Sequence, residues 1–143
     1  PVSTCDVRQA ALYREGKDVT YTSACDILSG TWLDAYTTVT LYDKSDVDVD
    51  HIVPLAEAWR TGASAWTSTQ RTAFANHPLE VIAVDDGANA SKGDKTPDLW
   101  KPPNRAAHCL YAKRWIAIKA AWQLTVNSSE KAALDSMLNT CEA

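Results

Sequence analysis

An α+β fold with few strands is what the sequence predicts, on three observations. Short runs rich in β-branched and aromatic residues fall in the first 84 positions. The last third is patterned as helix: Tyr111, Trp115, Ile118 and Trp122 recur at helical spacing, as do Leu134, Met137, Leu138 and Cys141. Two capping boxes, Thr67 with Gln70 and Asn127 with Glu130, mark helix starts.

Taken in order, "CDVRQAALYREG" reads as a short helix closed by Gly16. "DVTYTS" and "TTVTLY" suggest strands. Asp46 to Asp50 is a further strand candidate, with Asp46, Asp48 and Asp50 on one face and Val47 and Val49 on the other, core-facing side. Pro54 ends it, and "LAEAWRTG" looks like a helix that stops at Gly62. The Thr67 box opens a helix through Phe74, and "LEVIAV" follows as a short buried strand. In "TPDLW", Thr96 can cap a helix whose first turn holds Pro97. No repeat, low-complexity tract or linker interrupts residues 1–143, which predicts one domain.

With 143 residues, 45% of them apolar and 22% charged, the chain has the composition of a folded globular protein rather than a disordered one. No apolar run reaches the roughly 18 residues a membrane span needs. The four cysteines, Cys5, Cys25, Cys109 and Cys141, form no C-x-x-C pair, so a zinc knuckle or thioredoxin-like motif has no support. Three pairings are open to them. Pairing nearest neighbours closes loops of about 20 and about 33 residues, each worth roughly 3–4 kcal/mol in the chain-entropy model. Four reduced core cysteines are the other reading; bridged cysteines imply an oxidising, extracellular setting. The net charge of −4 is unevenly spread. Residues 1–88 are acidic, whereas 89–123 hold Lys92, Lys95, Lys101, Arg105, Lys113, Arg114 and Lys119 against Asp94 and Asp98. Such a segment could face phosphates, or be the solvated side of a helix.

The candidate chemistry begins at "DVDVDHIVP". Neighbours on a strand point to opposite faces, so Asp50 and His51 can serve one site only if the strand ends there, as Pro54 suggests. A carboxylate is a hard-oxygen ligand suited to Mg²⁺. An imidazole, with an ordinary value near 6.5, is the natural general base at neutral pH. Asn76 lies just before the second strand, and Asn89 just after it at the start of a helix. A hairpin followed by that helix can bring Asp50 and Asn89 to one cation with His51 beside it. Lys92, three residues beyond Asn89, shares its helical face.

These stretches, "DVDVDHIVPLAEAWRTGASAW", "RTAFANHPLEVIAV" and "ANASKGDKTPDLWKPP", resemble the HNH nucleases of the ββα-metal superfamily. Within it they look most like the small secreted group that shares its domain with the nuclease part of GmrSD-type restriction enzymes. The resemblance implies a ββα-metal (HNH, or His-Me finger) core, a small antiparallel sheet surrounded by helices. It assigns His51 as general base, Asp50 and Asn89 as metal ligands, Asn76 as the brace of the loop holding the histidine, and Lys92 as a phosphate-side lysine. It also implies Mg²⁺, with Mn²⁺ or another divalent cation as a substitute, and products with 5′-phosphate and 3′-hydroxyl ends.

The expectation is therefore a secreted, monomeric, metal-dependent endonuclease acting on DNA, with RNA as a second candidate, and with no membrane partner. No base-reading element is evident, so little sequence specificity is expected. A non-catalytic nucleic-acid- or partner-binding module on the same scaffold is the alternative. Asp48, on the Asp50 face, is either an acceptor behind the ligands or a structural residue. Glu57 is undecided, Arg60 and Arg71 lean to structural roles, and His77 and His108 carry no assigned chemistry. Asn89 and Asn127 head formal glycosylation sequons, and a glycan on Asn89 is incompatible with metal binding there.

Overall fold

The protein is described by a computed structural model covering residues 5–142. Its first helix, α1 (Val7–Glu15), starts where the Asp6 side chain accepts from the Gln9 amide at 2.7 Å. It ends at Gly16, whose N–H bonds to the Leu12 carbonyl. Glycine is required there for proximity: a Cβ would meet Val19 Cγ2 at 2.4 Å and Trp32 Nε1 at 2.7 Å. That indole donates to the Leu12 carbonyl at 2.9 Å and joins α1 to the sheet that follows.

The sheet is antiparallel in the order β1 (Lys17–Tyr21), β2 (Ile27–Leu33) and β3 (Thr40–Leu41). The central strand, "ILSGTWL", is not among those the residue pattern predicts, because Ser29 and Gly30 interrupt its apolar run. The expected strand over 37–42 contracts to two residues, since Thr38 takes a left-handed φ of 64° and turns the chain.

A second antiparallel pair carries the candidate residues. β4 (Val47–His51) pairs with β5 (Val81–Asp85) in unbroken register, from Val47 opposite Asp85 to His51 opposite Val81. Asp46 lies outside the strand, in a 3₁₀ turn over Lys44–Asp46. Both faces of this ribbon are covered. Val47 and Ala83 pack with Leu12, Ile27, Trp32 and Leu41, while Ile82 and Val84, on the face of Asp48 and Asp50, join the larger core of Tyr36, Phe74, Tyr111 and Trp115. The polar face of the strand is thus turned inward, and Val49, expected in the core, is only half-buried.

Between the two strands run α2 (Leu55–Thr61) and α3 (Ser68–Ala75), the latter opened by the Thr67–Gln70 capping box. β5 passes directly into α4 (Asp86–Lys92), whose amide at Ala88 bonds to the Asp85 side chain at 2.9 Å. Around Thr96 a single turn forms instead of the expected helix, with the Leu99 and Trp100 amides on the Thr96 carbonyl. Helices α5 (His108–Ala121) and α6 (Ser128–Leu138) close the fold, so an α+β architecture with six helices is observed among the described residues. The disulfides are Cys5–Cys25 and Cys109–Cys141, and the second ties α5 to the segment after α6. A buried ion cluster adds to this: Lys119 Nζ lies 2.7 Å from Glu57 and 2.8 Å from Glu130, and donates to the Thr125 carbonyl. Lys119 is thus shared by two buried carboxylates, and Arg60, at 3.2 Å from Glu57, supplies the second positive charge.

Candidate active site

His51 closes β4, and four hydrogen bonds fix it and the residues that follow it. Its Nε2 lies 2.8 Å from the Ala75 carbonyl at the end of α3. A carbonyl only accepts, so Nε2 is the donor, and in the neutral ring the lone pair is then on Nδ1. The His51 carbonyl accepts from Lys92 Nζ at 2.8 Å. Beyond the strand, the Ile52 amide bonds to the Glu80 carbonyl at 2.8 Å and the Val53 amide to Glu80 Oε1 at 2.7 Å. Glu80 thus holds the chain where it leaves the ribbon and enters Pro54.

Asp50, 8% exposed, points into the larger core. Its Oδ2 accepts from the Tyr36 hydroxyl at 2.6 Å and pairs with Lys92 Nζ at 2.9 Å. Lys92 has no exposed surface. Desolvation lowers its value below that of an ordinary lysine, and the Asp50 charge opposes the shift. Burial, reinforced by Asp50, raises the Tyr36 hydroxyl well above its usual range. Glu80 is also fully buried, and desolvation pushes its carboxyl up to about 9 despite the bond from Val53. Around Lys92, burial thus favours the neutral form of Glu80, and Asp50 is the carboxylate that pairs with the ammonium. Tyr36 is itself positioned by buried Asp34, whose Oδ1 accepts from the amides of Tyr36 and Asp85 and so joins this loop to the start of α4.

Asn89 stands in the second turn of α4 and donates through Nδ2 to Asp48 Oδ2 at 3.1 Å. Asp48 and Asp50 share one ribbon face, and the contacts on Asp50 fall on Oδ2, which leaves Oδ1 for another ligand. Among the described residues no group of three or more His, Cys, Asp or Glu converges as a metal site. The donors on offer are two carboxylates and one amide oxygen. Such hard oxygens suit Mg²⁺ or Mn²⁺, which Mg²⁺-type sites typically hold by one or two carboxylates with water and phosphate filling the other positions. The residues present therefore fit a divalent cation.

Several expected contacts are rearranged. Asn89 meets Asp48 rather than Asp50, and Lys92 turns inward to Asp50 rather than outward toward a phosphate. Asn76 is exposed at the C-terminus of α3, and the brace on the histidine comes from the carbonyl one residue earlier. Glu57 belongs to the Lys119 cluster, Arg60 lies on Glu57 and Asp94, and Arg71 donates to the Ala63 and Trp66 carbonyls. His77 Nδ1 accepts from the Leu79 amide, and His108 bonds to the Pro102 carbonyl. The side chains heading both sequons are engaged, Asn89 with Asp48 and Asn127 as the cap of α6. Tyr36, Asp34 and Glu80 were absent from the sequence reading. Only Glu80 left a trace there, as a lone acid leading directly into the apolar run "VIAV".

The family described as GmrSD restriction endonucleases, C-terminal domain, matches residues 5–136. An uncharacterized secreted protein of Arthroderma benhamiae is 46% identical over 141 residues, which cover 96% of this chain and 69% of that protein. No solved structure matches. With its two disulfide bridges and a secreted relative, the chain is a protein of the extracellular space.

Proposed function

The chain belongs to the family of GmrSD restriction endonuclease C-terminal domains, and from that premise we propose that it is a metal-dependent endonuclease of low sequence specificity, hydrolysing phosphodiester bonds of DNA, with RNA as the second candidate substrate. The β4–β5 pair with α4 behind it is read as the ββα-metal core, within one nuclease domain that acts as a monomer. The observation that carries this reading is the 2.8 Å contact from His51 Nε2 to the Ala75 carbonyl. It engages Nε2 and leaves Nδ1 of the neutral ring as the nitrogen with a lone pair, as a general base requires.

In the proposed mechanism Nδ1 of His51 takes a proton from water as its oxygen attacks phosphorus in line with the departing 3′ oxygen. The bond to Ala75 holds the imidazole against rotation during transfer, while Lys92, donating to the His51 carbonyl, and Glu80, accepting from the Val53 amide, fix the backbone around it. Asn89 and Asp50, with Asp48 adjoining, would hold Mg²⁺ or Mn²⁺, which when bound supplies charge stabilisation at the phosphoryl oxygens and leaving group. Lys92 acts from within, neutralising Asp50 and fixing the His51 carbonyl. Asn76, lacking a bond to the histidine, has its proposed part confined to ending α3 so that the Ala75 carbonyl stays free for the ring.

A plasmid-nicking assay tests this. Wild type should cleave with Mg²⁺ and stop on addition of EDTA. His51→Ala should lose about 10²- to 10⁴-fold in rate, the usual contribution of a positioned general base, with an unchanged circular-dichroism spectrum. Cleavage by His51→Ala at the wild-type rate overturns the mechanism.

A further inference from the structure

α2 and α3 enclose a cleft of about 160 Å³ lined in part by Ala75, the residue whose carbonyl meets His51. Its walls include Leu55, Trp59, Trp66, Arg71, Phe74 and Ala75. Pockets that take drug-sized ligands run to roughly 300–1,000 Å³, so this one suits a single planar ring. Its floor is rigid: Trp66 lies against Phe74 and Trp122, with ring centroids 5.5 Å apart in both pairs. Its mouth is not closed, because Trp59 remains 52% exposed.

Arg71 decides what the ring can be. Its guanidinium lies 5.3 Å from the centre of the Trp59 indole, and Nη1 is pinned by the carbonyls of Ala63 and Trp66. No carboxylate pairs with it among the described residues. A flat aromatic wall beside an uncompensated, immobilised cation matches a base attached to a phosphodiester, since the base stacks and the phosphate meets the charge.

We propose that this cleft is a base subsite, which receives one unpaired nucleobase of the nucleotide flanking the scissile phosphate and stacks it on Trp59. This rests on the nuclease reading and sharpens its substrate class. A base inside a duplex cannot enter without leaving its stack, so single-stranded nucleic acid is the favoured substrate. Arg71 lies over the indole and lines the same cleft; Ala75 links the subsite to the histidine through one carbonyl.

The test compares wild type, Trp59→Ala and Trp59→Phe on a single-stranded oligodeoxynucleotide and on the same sequence as a duplex. Trp59→Ala should raise KM on the single strand by about 5- to 100-fold, the range expected for losing one base–aromatic stack. kcat and the melting temperature should hold, Trp59→Phe should recover most of the loss, and duplex cleavage should change little. Equal effects on both substrates, or none on either, overturn the subsite while leaving the nuclease reading intact. If wild type cleaves neither substrate with Mg²⁺ or Mn²⁺, it is the nuclease reading that fails. Anisotropy of fluorescein-labelled oligothymidylate then decides the cleft: weaker binding to Trp59→Ala supports it, and equal binding overturns it.

Discussion

Replacing Glu80 by Gln removes a buried acid while keeping the shape that holds the backbone after His51. Burial lifts this carboxyl from 4.5 to about 9, so the chain takes up a proton there on folding throughout that interval. A group whose folded value is raised contributes fully below pH 4.5 and loses its contribution as pH climbs toward 9. The slope inside the window is about 1.4 kcal/mol per pH unit, so this group alone should cost the wild type roughly 3 kcal/mol between pH 6 and pH 8. Glutamine binds no proton and still presents Oε1 to the Val53 amide. Its new amide falls where Glu80 Oε2 has no partner, a pH-independent cost of about 1–3 kcal/mol that cancels from the comparison. Urea denaturation followed by tryptophan fluorescence, repeated across pH, gives the two stabilities. Their difference should move in favour of Glu80→Gln by roughly 3 kcal/mol from pH 6 to pH 8. Parallel curves would mean that Glu80 is ionised in the folded protein.

Lys92→Met leaves Asp50 buried with only the Tyr36 hydroxyl, and should cost about 3–5 kcal/mol in urea denaturation, as when half of a buried pair is removed. If Asp50 is a metal ligand, millimolar Mn²⁺ should raise the midpoint of this variant, since a cation bound only by the folded state replaces the lost charge; no shift argues against that role. Converting both Cys109 and Cys141 to serine opens a loop spanning 32 residues, and should lower stability by about 3–4 kcal/mol with the rate of cleavage by the remaining folded protein unchanged.

What the sequence allowed to be read, and what it hid, follows from the range of the interactions. Caps act within one turn, so the Thr67 and Asn127 boxes and the helix ending at Gly16 are visible in a few letters. Alternation in β4 was visible as well, but not which face would meet the larger core, because that depends on α4 and α5 arriving over Asp48 and Asp50. The inward turn of Lys92 was hidden for the same reason: its partners, Asp50 and the His51 carbonyl, lie 41 or more residues away in the chain. β2 escaped notice because its Ser29–Gly30 centre spoils the apolar pattern, while its strand identity comes from pairing on both edges. The support of His51 by a backbone carbonyl has no residue signature at all, since any residue at position 75 supplies one.

The charges lead to one further step. Lys92 and Lys119, two of the seven cations in the basic segment, are consumed by buried carboxylates and cannot attract a polyanion. Lys95, Lys101, Arg105, Lys113 and Arg114 form no ion pair among the described residues, and the first four are exposed. They can draw in a phosphate backbone even though the chain as a whole is at −4. At the proposed site the sign reverses: Asp50 is neutralised by Lys92, but Asp48 has only the Asn89 amide, and an uncompensated carboxylate repels the scissile phosphate. A divalent cation there turns that repulsion into attraction. On this reading cation dependence enters at substrate binding as well as at bond cleavage. Removing the ion should therefore raise KM as well as lower kcat, whereas His51→Ala, which leaves those charges in place, should act on kcat alone.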